Sequence, residues 1–146
     1  MSRISRICCL VDPGSVVIQQ EGPGWRVARD PQRGEFTVLV GGQGWAFELT
    51  EPEWSGFCEL LIGLVNNHAA LVDQLMVEEA IELELERGPW WGCLDGDRER
   101  WTLSVVLTPV AGRGVEGHWP FPAAMALVGV VRTMWDSSRD SVSYTH

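Results

Sequence analysis

The sequence predicts an α+β fold, built from two antiparallel β-meanders that are each followed by a helix, in the order βββα–βββα. Short segments in which apolar and polar residues alternate precede each of two longer segments with the apolar spacing of a helix. Glycine- and proline-containing turns separate the short segments, as is typical of antiparallel hairpins. Runs of strands followed by helices indicate the α+β class. The chain has 146 residues, 45% of them hydrophobic, which suffices for one domain with its own core.

The first meander is predicted from three segments, 22–31, 36–40 and 45–49. Trp25 and Val27 share one face of the first segment, and a glycine cluster at 41–44 separates the other two. A glycine-rich loop that binds phosphate leads into a helix, whereas here a strand follows. We therefore interpret this cluster as a hairpin turn, for which glycine is the usual residue.

The domain is predicted to span residues 21–136. Residues 1–20 are expected to form an appendage that is partly disordered, although 16–18 have the composition of a short edge strand. Residues 137–146 are polar and are expected to form a mobile tail.

Thr50 and Glu53 predict the start of the first helix, because together they match a capping box. Pro52 is tolerated in the first turn, where its missing N–H has no partner within the helix. His68 lies on the apolar stripe and is interpreted as a hydrogen-bonded core histidine. The stripe recurs at three- and four-residue steps over about six to seven turns, through Trp54, Phe57, Cys58, Leu61, Leu64, Val65, Leu71 and Leu75.

The segment 80–109 has the clearest strand pattern and is predicted to form a long β-hairpin. Asp95, Gly96 and Asp97 favour a turn at its tip. The first arm alternates apolar residues with glutamate, and the return arm has one apolar face. These positions are Ile81, Glu82, Leu83, Glu84, Leu85 and Glu86 on the first arm, and Trp101, Leu103, Val105 and Leu107 on the second.

A further short strand is predicted over 113–121, followed by a second helix over 122–136 that is apolar on nearly every side. A helix that is apolar all round is buried all round. Two interpretations are open: the helix lies between two sheets, or part of it forms a subunit interface. The motifs GPGW at 22–25 and GPWW at 88–91 each come early in a meander, which suggests two similar halves.

The net charge of −9 comes entirely from the middle of the chain. Residues 51–100 contain twelve acidic residues and three arginines, whereas the acidic residues and arginines balance in 1–50 and in 101–146. The chain contains no lysine. Proteins that bind phosphate groups through charge need a basic face. The acidic band therefore favours a basic protein partner or a cation over nucleic acid.

No catalytic or cofactor-binding pattern stands out. Cys8, Cys9, Cys58 and Cys93 have neither disulfide-framework nor metal-knuckle spacing, so we expect reduced structural thiols. No apolar run is long enough to span a bilayer and none resembles a secretory signal, which predicts a cytoplasmic protein with no membrane contact. We predict that the chain is not an enzyme and holds neither metal nor cofactor.

The candidate partner-binding residues lie on and beside the acidic strand. Glu82, Glu84 and Glu86 project from one strand face, with about 7 Å between successive carboxylates. This stripe is interpreted either as a solvated face or as a docking site for a basic partner; a cation site is disfavoured because the carboxylates diverge. Three tryptophans lie near turns and either close the ends of the core or bind a partner: Trp90, Trp91 and Trp119.

Three arginines carry the alternative nucleic-acid hypothesis. Arg87, Arg98 and Arg100 are expected to lie near Trp90 and Trp91 if the hairpin pairs as predicted. A cluster of arginine and tryptophan side chains binds nucleic acid through charge and base stacking, but it also forms self-contained cation–π contacts.

Four stretches resemble one family, the cyanobacterial domain-of-unknown-function family 1818. They are GPGWRVARDP, GGQGWAFELTEPEW, LVDQLMVEEAIELELERGPWW and GVEGHWP, and the resemblance covers about residues 21–132. It implies a fold similar to the Whirly-type single-stranded-DNA-binding regulators, in which antiparallel sheets are each followed by a helix. It implies no catalytic or binding residues. The lysine-bearing KGKAAL stretch of plant Whirly proteins has no match here, and a fold does not determine function by itself.

These observations lead to two functional hypotheses. The first is a non-enzymatic interaction or assembly module that binds a protein partner through the acidic strand or the tryptophans, with a homodimer as a further expectation. The second is a single-stranded nucleic-acid-binding transcriptional regulator, which rests on the likeness of fold.

Overall fold

The computed structural model describes residues 5–9, 16–109 and 111–143, with side chains over 17–109 and 111–137. The first half comprises β1 (Ser5–Cys9), β2 (Val16–Gly22), β3 (Trp25–Arg29), β4 (Val38–Gly42), β5 (Trp45–Leu49) and α1 (Glu51–Val72). The second half comprises β6 (Ile81–Arg87), β7 (Trp90–Gly96), β8 (Trp101–Leu107), β9 (Val115–Trp119) and α2 (Ala123–Ser143).

The strands form two antiparallel meanders, and each is followed by a helix, which confirms the predicted fold class. The first sheet has the order β1-β2-β3-β4-β5 and the second has the order β6-β7-β8-β9. Each meander therefore contains more strands than the three predicted. The GPGW motif connects β2 to β3 and the GPWW motif connects β6 to β7, so β2–β5 with α1 and β6–β9 with α2 share one order of elements.

The predicted long hairpin over 80–109 is wrong, because this segment contains three strands. The chain reverses at Gly88 and Pro89, where Gly88 has a φ of 58°, a conformation that glycine adopts readily. Arg87 then pairs with Trp90, and β7 runs back along β6. The turn expected at Asp95, Gly96 and Asp97 lies later in the chain: Asp95 and Gly96 belong to β7, and the connection to β8 spans 97–100.

Both ends of the chain contain more regular structure than expected. Within residues 1–20, β1 and most of β2 extend the first sheet. Residues 137–143, predicted as part of the tail, continue α2. The expectations for the side chains of Cys8 and Cys9 and for the last three residues lie outside the part of the chain that the structure describes.

Helix α1 begins as predicted. The Glu53 amide donates to Thr50 Oγ1 (3.3 Å) and the Thr50 amide donates to Glu53 Oε1 (2.9 Å), which completes the capping box. The apolar face of α1 packs mainly on β6 and β7. His68 is 7% exposed, and its Nε2 lies 3.0 Å from the Asp97 carbonyl oxygen, which confirms a hydrogen-bonded core histidine.

Among the described helices, α1 also has the length and mean hydropathy required to span a bilayer, so the expectation that no segment is long enough is wrong by this criterion. A helix packed in the core of a protein meets the same criterion.

Helix α2 contacts strands of both sheets, β2 and β3 of the first and β8 of the second, and it also packs against α1. Its buried face consists of Ala123, Ala124, Leu127, Val128 and Val131. The opposite face is exposed at Met125, Ala126 and Gly129. The expectation that α2 is buried on all sides is therefore wrong. That its exposed face forms a subunit interface stays a prediction.

Candidate functional site

The outer face of the second sheet collects the predicted acidic residues. Along each strand, side chains alternate between an inner face that is buried against the core and an outer face. The strand register aligns the outer positions in rows that run across the strands, with about 4.8 Å between neighbours in a row and about 7 Å between successive rows. One row is Glu82–Asp95–Thr102, the next is Glu84–Cys93–Ser104–His118, and the third is Glu86–Trp91–Val106–Glu116. We call these eleven residues the acidic sheet face.

The acidic sheet face has an uncompensated negative charge. It contains five carboxylates, at Glu82, Glu84, Glu86, Asp95 and Glu116, and no arginine or lysine. The ion pairs in the described part of the chain lie elsewhere: Arg29 with Glu51, Arg33 with Glu48, and Arg113 with Glu53. All five carboxylates belong to exposed residues. The face therefore presents a concentrated negative potential to solvent.

Short-range contacts fix the centre of this face. Trp91 Nε1 donates to Glu84 Oε1 at 3.1 Å, which holds the half-buried indole beside the carboxylate. The Cys93 thiol lies 3.9 Å from Glu82 Oε2. Burial raises the pKa of Cys93, and the negative charges of Glu82, Asp95 and Glu84 raise it further. The thiol therefore stays protonated at neutral pH, unlike a nucleophilic cysteine.

Ser104 and His118 form the polar end of the middle row. Ser104 Oγ lies 2.9 Å from His118 Nδ1, so the two side chains share a hydrogen bond across β8 and β9. The pair lies on an open sheet face rather than in a cleft. Within the described residues, no group of three or more His, Cys, Asp and Glu side chains is placed to hold a metal ion.

A family model described as a domain of unknown function, DUF1818, matches residues 20–134. The chain belongs to the DUF1818 family. The fold is also similar to the crystal structure of a protein with unknown function, described as from the DUF155 family, from Prochlorococcus sp. NATL2A. The two have a TM-score of 0.76 and 39% sequence identity, over 80% of this chain and 98% of that chain. No curated protein matches. The family resemblance is thus confirmed, whereas the likeness to Whirly-type regulators stays a prediction.

In this DUF1818 protein, the three tryptophans of the predicted partner site have different environments. Trp90 and Trp119 are 1% and 0% exposed, so the expectation that they contact a partner is wrong. Trp90 lies on the inner face of β7, and its Nε1 donates to the Glu53 carbonyl of α1 (3.0 Å). Trp119 Nε1 donates to the Gly41 carbonyl (3.0 Å) and so connects the two sheets. Only Trp91 of the three lies on the acidic sheet face.

The predicted arginine cluster does not form. Arg87 ends β6 beside Trp90, whereas Arg98 and Arg100 follow β7 at its other end, about 20 Å along the strand. The reason is the turn at Gly88 and Pro89, because it divides the predicted first arm of the hairpin into two strands, β6 and β7. Arg98 Nη1 donates to the Leu75 carbonyl at 3.5 Å. The Arg100 guanidinium lies over the Phe121 ring, 5.6 Å from its centroid.

Sequence reasoning missed several members of the acidic sheet face. Asp95 was assigned to a turn, and Cys93, Ser104, Glu116 and His118 were not connected with the glutamates. Their period-two spacing within β7, β8 and β9 is the available signal. The strand register, which brings them beside β6, depends on turns that the spacing alone does not locate.

A cleft lies between the first sheet and both helices. Its volume is about 480 Å³, and its lining includes Arg29, Glu51, Trp54 and Trp135. Arg29 donates twice to the Glu51 carboxylate, at 2.6 and 3.1 Å. These bonds from Arg29 are the main reason that the pKa of Glu51 is lowered. The charged groups of this cleft therefore bind each other.

Proposed function

We propose that this DUF1818 protein is a non-enzymatic interaction module that binds the basic surface of another protein on its acidic sheet face. The observation that carries the proposal is the set of five exposed carboxylates, with neither a basic residue on the face nor an ion pair to any of them among the described residues. Opposite charge on a partner speeds association and selects against acidic competitors.

Apolar contacts at the centre complement this charge. Trp91 and Val106 are half-buried and adjacent in one row, between Glu86 and Glu116. Interfaces commonly combine an aromatic anchor with a polar rim, and the anchor contributes most of the binding free energy. This arrangement supports protein binding more than it supports binding of nucleic acid, whose phosphates the five carboxylates repel.

The test is affinity capture from native cell lysate, with and without nuclease, using the wild type and two variants matched in charge. One carries Gln in place of the three glutamates of β6, Glu82, Glu84 and Glu86. The control carries Gln in place of three exposed glutamates elsewhere, Glu21, Glu59 and Glu99. We expect the wild type and the control to capture one basic protein in stoichiometric amount, whether or not nuclease is added. The β6 variant should capture at least tenfold less of this protein.

Two results would contradict the proposal. Equal loss in both variants would show that only net charge matters and that the acidic sheet face has no specific role. Partners that disappear with nuclease, and that are lost when Arg87, Arg98 and Arg100 are changed to Gln, would favour the single-stranded nucleic-acid-binding alternative. In that case affinity for a labelled oligonucleotide should fall steeply with salt, with a slope that decreases by about one for each phosphate-contacting arginine removed.

A further inference from the structure

Strand β6 has one edge that no other described strand covers, called here the free edge. Within the described residues it pairs only with β7. The opposite outer strand of the same sheet, β9, lies against β4, and the Trp119–Gly41 hydrogen bond connects the two. The β6 edge is seven residues long and contains no proline. A long unpaired edge of this kind is a template for another strand.

The turn that follows β6 determines which backbone groups point to this edge. Gly88 and Pro89 form a two-residue loop, and Arg87 and Trp90 on either side of it are paired. Residues that flank such a loop exchange hydrogen bonds, and the bonded pairs then alternate along the ladder. Arg87, Leu85, Leu83 and Ile81 therefore bond to β7. Their neighbours Glu82, Glu84 and Glu86 direct their backbone N–H and C=O groups to the free edge.

We propose that β6 accepts an extended segment of another protein as an additional antiparallel strand, and that basic and apolar residues alternate in this segment. The proposal rests on the proposed function and specifies its partner. Residues opposite Glu82, Glu84 and Glu86 lie on the acidic sheet face, where lysine or arginine pairs with the carboxylates. The intervening residues lie beside Leu83 and Leu85, which are only half-buried against α1 and offer apolar contact.

Charge excludes the simplest competitor, a second copy of the same edge. Two antiparallel β6 strands would bring glutamates close to glutamates, which is destabilising. The loop before β6 adds apolar surface for a partner, because Met76 and Val77 are 76% and 64% exposed. Glu79 holds this loop in shape: its carboxylate accepts from the Met76 amide (3.2 Å), and its own amide donates to the Met76 carbonyl (3.0 Å).

The first experiment uses fluorescein-labelled heptapeptides of alternating lysine and valine, with binding measured by fluorescence anisotropy. In the proposed pairing the lysine amides face β6 and the valine amides face away. We expect N-methylation of the lysine amides to weaken binding at least tenfold, and N-methylation of the valine amides to change it less than threefold. A heptapeptide of the same composition with its lysines in one block should bind at least tenfold more weakly than the alternating one.

The second experiment changes the protein edge. Glu84→Gln removes one carboxylate and should weaken binding of the alternating peptide roughly 1.5- to fivefold, the range for one cross-strand charge pair. Glu84→Pro also removes an amide that faces the edge rather than β7, a position where strands tolerate proline. We expect it to weaken binding at least tenfold, with urea unfolding used to verify that both variants remain folded.

The outcomes separate this proposal from the proposed function. Strand addition is refuted if both N-methylated peptides bind equally and Glu84→Pro weakens binding no more than Glu84→Gln does. If the β6 glutamates are still required for binding in that case, the partner lies on the acidic sheet face and the proposed function stands. If the peptide binds equally well without the β6 glutamates, the proposed function fails as well.

Discussion

Replacing Trp90 with phenylalanine should destabilise the protein without affecting partner binding, although the sequence makes Trp90 a candidate for either role. Trp90 is 1% exposed, its ring centroid lies 5.3 Å from that of Phe57, and its Nε1 donates to the Glu53 carbonyl at 3.0 Å. Phenylalanine keeps the aromatic contact but removes the donor and part of the ring. Trp91→Phe is the matched control, because it makes the same change one residue later, on the half-buried outer face.

The expected cost of Trp90→Phe is about 2 kcal/mol. A buried hydrogen bond contributes about 1 kcal/mol, and the Glu53 carbonyl keeps its acceptor role within α1, so it is not left unpaired. The smaller ring leaves a gap of about 40 Å³, which at roughly 24 cal/mol per Å³ adds about 1 kcal/mol. Trp91→Phe should cost at most about 0.5 kcal/mol, since water replaces its bond to the exposed Glu84 carboxylate.

Urea unfolding followed by far-ultraviolet circular dichroism measures both variants with the same signal. We expect the midpoint of Trp90→Phe to fall clearly below that of Trp91→Phe, with an unchanged slope. In the capture experiment, Trp91→Ala should weaken partner binding whereas Trp90→Phe should not. Equal midpoints for the two phenylalanine variants, or a loss of partner binding specific to Trp90→Phe, would refute the assignment of Trp90 to the core.

Two further predictions concern stability. Gly56→Ala should destabilise the protein by about 1–3 kcal/mol, because its Cβ would lie 2.8 Å from Trp90 Cδ1, whereas Gly129→Ala on α2 has no atom within 4 Å and should stabilise by about 0.5–1 kcal/mol in the same assay. The bonds from Arg29 lower the pKa of Glu51 below 4.5, so their contribution to the free energy of unfolding is complete above pH 4.5 and is lost as the pH falls through the lowered value. Glu51→Gln should therefore flatten the loss of stability in acid, measured by urea unfolding at a series of pH values. An unchanged acid profile would contradict the role of the pair.

The sequence predicts local features better than the partners of each strand. The capping box of Thr50 and Glu53, and the inward residues of β8 from Trp101 to Leu107, follow from nearest neighbours in the chain, and both are confirmed. Strand β7 lacks the difference between apolar inner and polar outer residues that identifies β8. Its inner positions include Gly92 and its outer positions include Trp91 and Cys93, so alternation of apolar and polar residues does not reveal a separate strand.

The sequence likewise predicts only the part of the candidate site that depends on neighbours in the chain. The alternation in β6 identifies Glu82, Glu84 and Glu86, but burial of Trp90 depends on Gly56, more than thirty residues earlier in the chain. Gly56 has no side chain, so the indole packs directly against α1. Contacts of this kind depend on how a helix docks onto a sheet, and a single sequence does not display them.

The two halves of the fold indicate that the acidic sheet face is not required for folding. Strands β2–β5 have the same order as β6–β9 and are likewise followed by a helix. Yet the outer charged positions of β2–β5 are one arginine and two glutamates: Arg26, Glu21 opposite it, and Glu48, which is paired with Arg33. One architecture thus forms with a nearly neutral outer face in the first half and, in the second, with five carboxylates that form no ion pair among the described residues. Like charges on neighbouring strands oppose pairing, and the proposed basic partner would offset this cost by pairing with the carboxylates.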